Sequence, residues 1–327
     1  MKKRVILDVN AGADIAAAIL FSSSTQFFEI VGITSVWGFY SVGVATKQAA
    51  LLENMLDFKI PIYRGCPESM VRRLYHKQQP IGLIDSNYQF NRNYDFISSN
   101  KIDDSITINQ PEPTHAVTFL INALREASSP LTIVTTGPLT NLGCAIRIAP
   151  DIIENIDEII LTGGGVCKTD ATMWAEANLW CDPEAAEILL NSKAKITMVP
   201  LDATSEAVVN KNEFLNSLDK VTIMSSVFEK ILEKRSLEYE NAPGPGEKNF
   251  LSFPSLLSII YLIKPEVFKE LRHVYIQVSL DHGYSGGAIR VGEENLECGR
   301  NVFLAYAVNQ DIFTETILGL LKNFKSC

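Results

Sequence analysis

The sequence predicts an α/β fold, with a mostly parallel central sheet flanked by helices. Short apolar runs repeatedly end in polar or glycine-rich turns and give way to helical spacing, the rhythm of strands joined by crossover helices. Hydrophobic residues make up 46% and charged residues 20% of the 327 positions, enough apolar material for a large core. No internal repeat or long linker divides the chain, so the expectation is one domain over residues 1–327.

The elements follow in order. Val5-Ile6-Leu7 is a strand running into Asp8-Val9-Asn10-Ala11-Gly12, and an Ala-rich helix starts near Asp14. Ile30 to Val36 is a second buried strand closed by Gly38, and Ser41 to Leu56 carries helical spacing through Val44, Ala49, Leu51 and Leu52. Pro61-Ile62-Tyr63 is a short third strand. Thr114 to Ala127 is a helix, and Leu131 to Val134 a strand entering Thr135-Thr136-Gly137-Pro138. Ile156 to Leu161 is a strand ending in Gly163-Gly164-Gly165. Asp182-Pro183-Glu184 starts a helix: an acceptor at the N-cap, proline at the first position, an acid at the positive dipole end. Ile196 to Val199 is a strand leading to Leu201-Asp202. Residues 210–265 read as mostly helical, and the last sixty residues as two or three strands with a closing helix near Ile312 to Leu321.

Composition excludes several functions. With Lys+Arg 29 against Asp+Glu 38 the formal charge is −9, the wrong sign for a nucleic-acid footprint or an anionic membrane surface. No apolar run approaches the roughly 20 residues of a membrane span, and the first apolar stretch breaks at Asp8, too soon for a secretory segment. The scattered cysteines (Cys66, Cys144, Cys167, Cys181, Cys298, Cys327) form no CxxC pair, which points to reduced thiols in a cytoplasmic protein.

Ligands of open α/β sheets bind beyond the carboxyl ends of the strands. Five polar clusters fall there: Asp8/Asn10/Asp14, Thr135/Thr136, Gly163 to Gly165 with Asp170, Glu176/Asn178, and Asp202/Thr204. Such convergent oxygens suit a polyhydroxylated ligand, although each cluster alone is also ordinary capping and turn chemistry. Pro243-Gly244-Pro245-Gly246-Glu247-Lys248 lacks the spacing and the Ser or Thr of a phosphate loop and reads as a mobile loop. His76, His115, His273 and His282 lack metal-ligand spacing and read as structural.

The order of the clusters resembles the inosine-uridine-preferring nucleoside hydrolases over nearly the whole chain. Asp8 to Ala16 is similar to the family's DxDxGxDDA opening, Val134 to Asn141 to PTGPLTN, and Leu161 to Gly165 to MGGG. Ala175 to Ala186 resembles AEFNxxxDPEAA, and Leu201 to Thr204 resembles LDVT. Tyr63-Arg64-Gly65 and Lys264 to Phe268 fall in the expected order. The resemblance implies a nucleoside-hydrolase-like fold, a homodimer or homotetramer, and cleavage of the N-glycosidic bond of ribonucleosides. In that family a calcium ion grips the ribose 2′- and 3′-hydroxyls and activates a water.

Carried over position by position, the resemblance also implies departures. The general-base aspartate corresponds to Asn10, whose carboxamide cannot take up a proton near neutral pH. A calcium-binding aspartate corresponds to Ile15, and the later His-Asp pair falls on Pro254 and Ser255. The Gly-Asn closing the second strand appears as Gly38-Phe39. Of the family's protein ligands only the Thr136 carbonyl remains; Asp8 and Asp14 are kept, but in relatives they sit beside the metal and on the ribose rather than carrying it. The expectation is therefore a degenerate metal site at Asn10, Ile15, Thr136 and Ser255, with the calcium cofactor lost. Asp14, Asp170, Glu176 and Asn178 correspond to ribose-binding groups. Three functions follow: a catalytically impaired protein binding a nucleoside or other ribosyl molecule, a metal-independent N-ribohydrolase using Asp8, Asp14 or Glu176 as base, or a structural partner of an active relative.

Overall fold

The computed structural model describes residues 2–75, 109–218, 222–240, 249–294 and 299–323. His76, the Pro243 to Lys248 stretch, Cys298 and Cys327 lie outside the described residues.

The strands are β1 (Lys3–Val9), β2 (Phe28–Ser35), β3 (Ile62–Arg64), β4 (Leu131–Thr135), β5 (Ile156–Thr162), β6 (Ile196–Val199), β7 (Val208–Asn210), β8 (Phe250–Ser252), β9 (Phe268–Val278), β10 (Ile289–Gly292) and β11 (Val302–Val308). Nine of them form one sheet in the order β10-β9-β11-β6-β5-β4-β1-β2-β3. Every pair from β11 to β3 is parallel, and β9 and β10 add an antiparallel edge. The fold is therefore the α/β architecture that the sequence predicts. The segment 210–265 departs in part: besides its helices it contains β8, which pairs antiparallel with β7 in a small second sheet. Three-residue strands are too short for hydrophobic alternation to reveal them.

Alternation along the strands divides the core. Val5, Leu7 and Val9 pack into one hydrophobic cluster with the helices Ala13–Ser24 and Pro254–Ile263, while Ile6 faces another with Ala116–Arg125 and Pro183–Leu190. A central parallel strand is covered on both faces, which explains why these runs are continuously apolar. Chain order reverses between β1 and β4, which lie side by side (Asp8 opposite Thr135) although their connections run in opposite directions across the sheet. The loops leaving these two strands diverge and open a crevice at the carboxyl end.

Two packing contacts position the crevice walls. Phe21, on the helix after β1, meets Phe228 edge-to-face at 5.1 Å, and Phe228 lies 6.4 Å from Phe253. Such pairs contribute roughly 0.5–1.5 kcal/mol beyond area burial. They hold the helix Ile223–Glu240 against the helices Ala13–Ser24 and Pro254–Ile263. Among the described residues no helix is long and apolar enough to cross a membrane.

Candidate functional site

A cavity of about 440 Å³ opens at the carboxyl ends of β1, β4, β5 and β6. Its lining unites Asn10, Asp14, Ile15, Thr136, Asp170, Glu176, Asn178 and Ser255, residues spread over nearly 250 positions of sequence. Phe39 and Pro254 also line it. The predicted rim residues thus largely converge, but Asp8, Thr135, Gly164, Gly165 and Asp202 lie outside the lining. Asp8 is absent from the lining: it is fully buried, with Oδ1 accepting from Thr34 Oγ1 at 2.6 Å and Asn141 Nδ2 at 2.8 Å. Burial pushes its carboxyl up to about 6. Asp202 instead accepts the backbone N–H groups of Val166, Cys167 and Lys168 and braces that loop. Thr204, the other half of that cluster, does line the cavity.

One wall is built from β5 and the turn beyond it. Gly164 adopts φ +80°, a left-handed conformation that disfavours a side chain, and this lets its N–H donate to Glu176 Oε2 at 2.7 Å. Glu176 also caps the helix Ala177–Cys181, accepting from Leu179 N at 3.3 Å. Desolvation, then the neighbouring Asp170, raises its carboxyl to about 8, so it carries a proton at neutral pH. Asp170 accepts from Ala177 N at 2.8 Å, and burial raises its pKa as well. Asn178 Nδ2 donates to the Thr162 carbonyl at 2.9 Å and, at 3.5 Å, to the Thr136 carbonyl. Behind this wall Asp182 caps the next helix through Ala185 N at 3.2 Å. Its carboxylate also accepts from Thr140 Oγ1 at 2.6 Å and Met70 N at 3.0 Å.

The opposite wall follows β1. Gln48 grips the loop through both the N–H and the carbonyl of Gly12, at 3.1 and 3.0 Å. Asp14 therefore enters the first helical turn with its carboxylate turned to Ser255, whose N–H lies 3.1 and 2.9 Å from its two oxygens. The Ser255 hydroxyl donates to the same carboxylate. Burial raises the Asp14 pKa, while Arg235 and the Ser255 hydrogen bonds act in the opposite direction. Asn10 Oδ1 and Thr136 Oγ1 have no hydrogen-bond partner within the protein, although both are almost wholly buried in the cavity lining.

Two further lining residues, Arg235 and Glu238, escape the sequence reading. In a segment as charged as Glu229 to Glu240 they look like part of a solvated helix face. The available signal was position: Arg235 lies seven residues after Phe228, in line with the buried Ile231 and Leu232. Of the described histidines none lines the cavity. His115 caps its own helix, while His273 stacks on Phe303 and His282 on Tyr75.

The donor set does not fit a calcium ion, which requires six to eight oxygens, largely anionic. Among the described residues no group of three or more His, Cys, Asp or Glu side chains is arranged to hold a metal. Both Asp14 oxygens are engaged by Ser255, Ile15 presents hydrocarbon, and the Thr136 carbonyl faces the Asn178 amide.

A crevice at the reversal of strand order, lined by neutral hydrogen-bonding groups, carboxyls and one guanidinium, has the placement of a ligand site in an α/β protein of the doubly wound type. Comparison with known proteins narrows the class. The family model "Inosine-uridine preferring nucleoside hydrolase" matches residues 5–315, and the chain belongs to that family. It is 33% identical over 215 residues to the inosine-uridine preferring nucleoside hydrolase of Crithidia fasciculata, covering 64% of this chain and 63% of that relative. It is 28% identical over 287 residues to the pyrimidine-specific ribonucleoside hydrolase RihB of Escherichia coli (strain SE11), covering 86% and 85% of the two chains. The solved purine-preferring ribonucleoside hydrolase from Gardnerella vaginalis has the same fold, with TM-score 0.81, 24% identity and coverage of 98% and 99%.

Proposed function

We propose that this protein binds the ribosyl part of a nucleoside or related small molecule, and that the calcium-dependent hydrolysis typical of its family is impaired. The observation that carries the reading is the pair of unpartnered buried atoms, Asn10 Oδ1 and Thr136 Oγ1, in one cavity with Asp14. A buried polar atom without a partner costs about 1–3 kcal/mol, so a ligand bringing adjacent hydroxyls recovers that cost. Asp14 supplies an anionic acceptor beside them, and Asn178 and Asp170 line the far side of the sugar. Impairment follows from the chemistry of the lining: Asn10 offers no basic site, and the residues around Asp14 supply no cation-binding oxygens in number. Four described cysteines are free thiols, which supports a reducing compartment such as the cytoplasm. Self-assembly as a homodimer or homotetramer is part of the same reading and is checked by analytical ultracentrifugation.

The test is a thermal-shift titration with ribose, inosine and uridine at millimolar concentration. Binding to the folded state raises the melting temperature by mass action. Asp14→Ala is expected to abolish the shift, and a wild-type protein indifferent to all three compounds would favour the structural-partner alternative. Glu176 favours a second reading, the metal-independent hydrolase, because a carboxyl pushed up to about 8 in the cavity is a proton donor at neutral pH. Base released from inosine or uridine in the presence of a chelator, at about 1 s⁻¹ or faster, would establish that reading instead.

A further inference from the structure

We infer that Arg235 is the resident cation of this pocket, a fixed guanidinium that balances Asp14 and makes the cavity refractory to divalent metal ions. The inference rests on the misfit of calcium described above and extends the ribosyl-binding reading.

Arg235 projects from the helix Ile223–Glu240 into the lining shared with Asp14 and Ser255. Its orientation is fixed at two points. Nε donates to the Ser252 carbonyl at 2.9 Å, and Nη1 bonds Glu238 Oε2 at 2.6 Å. Both partners are tied to the site: Ser252 precedes Ser255 by three residues, and Glu238 Oε1 accepts the Ala13 N–H at 3.4 Å. The network thus joins the three segments that meet around Asp14. Both members of the Arg235–Glu238 pair are largely withdrawn from solvent, with side chains 18% and 11% exposed.

Charge accounting gives the consequence. Asp14 and Glu238 place two carboxylates beside this wall, and an isolated buried carboxylate is strongly unfavourable. A guanidinium paired with Glu238, whose charge also acts on Asp14 in the same lining, lowers that cost, and among the described residues Arg235 is the only cationic side chain in the lining. A guanidinium is permanently charged and cannot leave, unlike a bound metal. It also repels a second cation, so calcium meets a balanced wall instead of a pair of acids. Asp14 thus serves as a hydroxyl acceptor without metal. Arg235 is a positioning residue here.

The test is calorimetric titration with calcium chloride of chelator-treated wild type, Arg235→Gln and Arg235→Lys. Gln can still donate to the Ser252 carbonyl but carries no charge, whereas Lys restores charge. Wild type and Arg235→Lys are expected to show no saturable calcium binding. Arg235→Gln should gain saturable calcium binding that neither of the others shows, because Asp14 and Glu238 then lack a counter-charge. Equal calcium behaviour of the Gln variant and wild type would overturn the inference, and so would tight binding by wild type. Urea denaturation of wild type, Asp14→Asn, Arg235→Gln and the double variant gives a check that survives poor folding of the single Gln variant. The double variant should be more stable than Arg235→Gln alone, because both charges are gone. A double variant no more stable than the single would also overturn the inference. Calcium titrations read Arg235 independently of any sugar. A wild-type protein that ignores ribosyl compounds but follows this pattern removes the ligand reading and leaves the counter-ion standing.

Discussion

The two walls of the cavity are made differently. On the β5 side, Glu176 lines the cavity and caps a helix at once, and Asp182 behind it caps the next, each accepting backbone N–H groups that would otherwise lose their partners. Here the sequence follows the family motif closely. On the β1 side Asn10, Ile15 and Ser255 line the cavity, the positions at which the proposed reading has the family motif broken. Residues that hold backbone cannot change without unfolding a turn.

The harshest way to break this comparison is Asp182→Ala. Three donors, from Thr140, Met70 and Ala185, lose their acceptor in a buried site, and the expected loss is about 3 kcal/mol or more by urea denaturation. A loss within about 0.5 kcal/mol, typical of surface substitutions, would remove the distinction between the walls.

A pH series sharpens it. Glu176 holds its proton in the folded state up to about 8, far above the ordinary carboxyl value. The folded protein therefore binds more protons than the unfolded chain through the interval between, and stability falls as pH rises across it. Asp8 and Asp182, both raised to about 6, contribute the lower part of the decline. Glu176→Gln keeps an acceptor for the Gly164 N–H without the titration, and its melting temperature is expected to be flatter between pH 6 and 8 (the interval set by these pKa values). An unchanged slope would show that this carboxyl titrates normally.

The mildest change is Thr136→Val. The buried hydroxyl has no protein partner, so its removal is expected to raise stability by about 1 kcal/mol, while ribosyl affinity falls about tenfold through one lost hydrogen bond. Calorimetry that shows unaltered affinity would place the sugar elsewhere in the cavity.

The fold was legible because strand and helix periods are strong in this chain, and the Asp182-Pro183-Glu184 start lies at the position the structure gives it. The identity of the rim residues was legible too, since each follows a strand end. Their depth was not. Asp8 and Asn10 are two residues apart, yet Asn10 lines the cavity while Asp8 is fully buried, with Oδ1 taken up by Thr34 and Asn141. Arg235 and Glu238 were hidden because their role depends on helix packing, in which Phe228 meets Phe21 from more than 200 residues away and Phe253 from the following segment.

The bonds between Asp14 and Ser255 join residues 241 positions apart. Contacts of such sequence separation form slowly, because loop closure must precede any gain from them. During synthesis the β1 strand and its loop emerge early, but the partner that orients Asp14 arrives only after three quarters of the chain has been made. A nascent chain therefore carries the first half of the pocket for most of its translation time without the competence to hold a ligand. Sugar binding, when it appears, reports that the whole chain has closed, and a pulse of ribosyl ligand during refolding would time that last event.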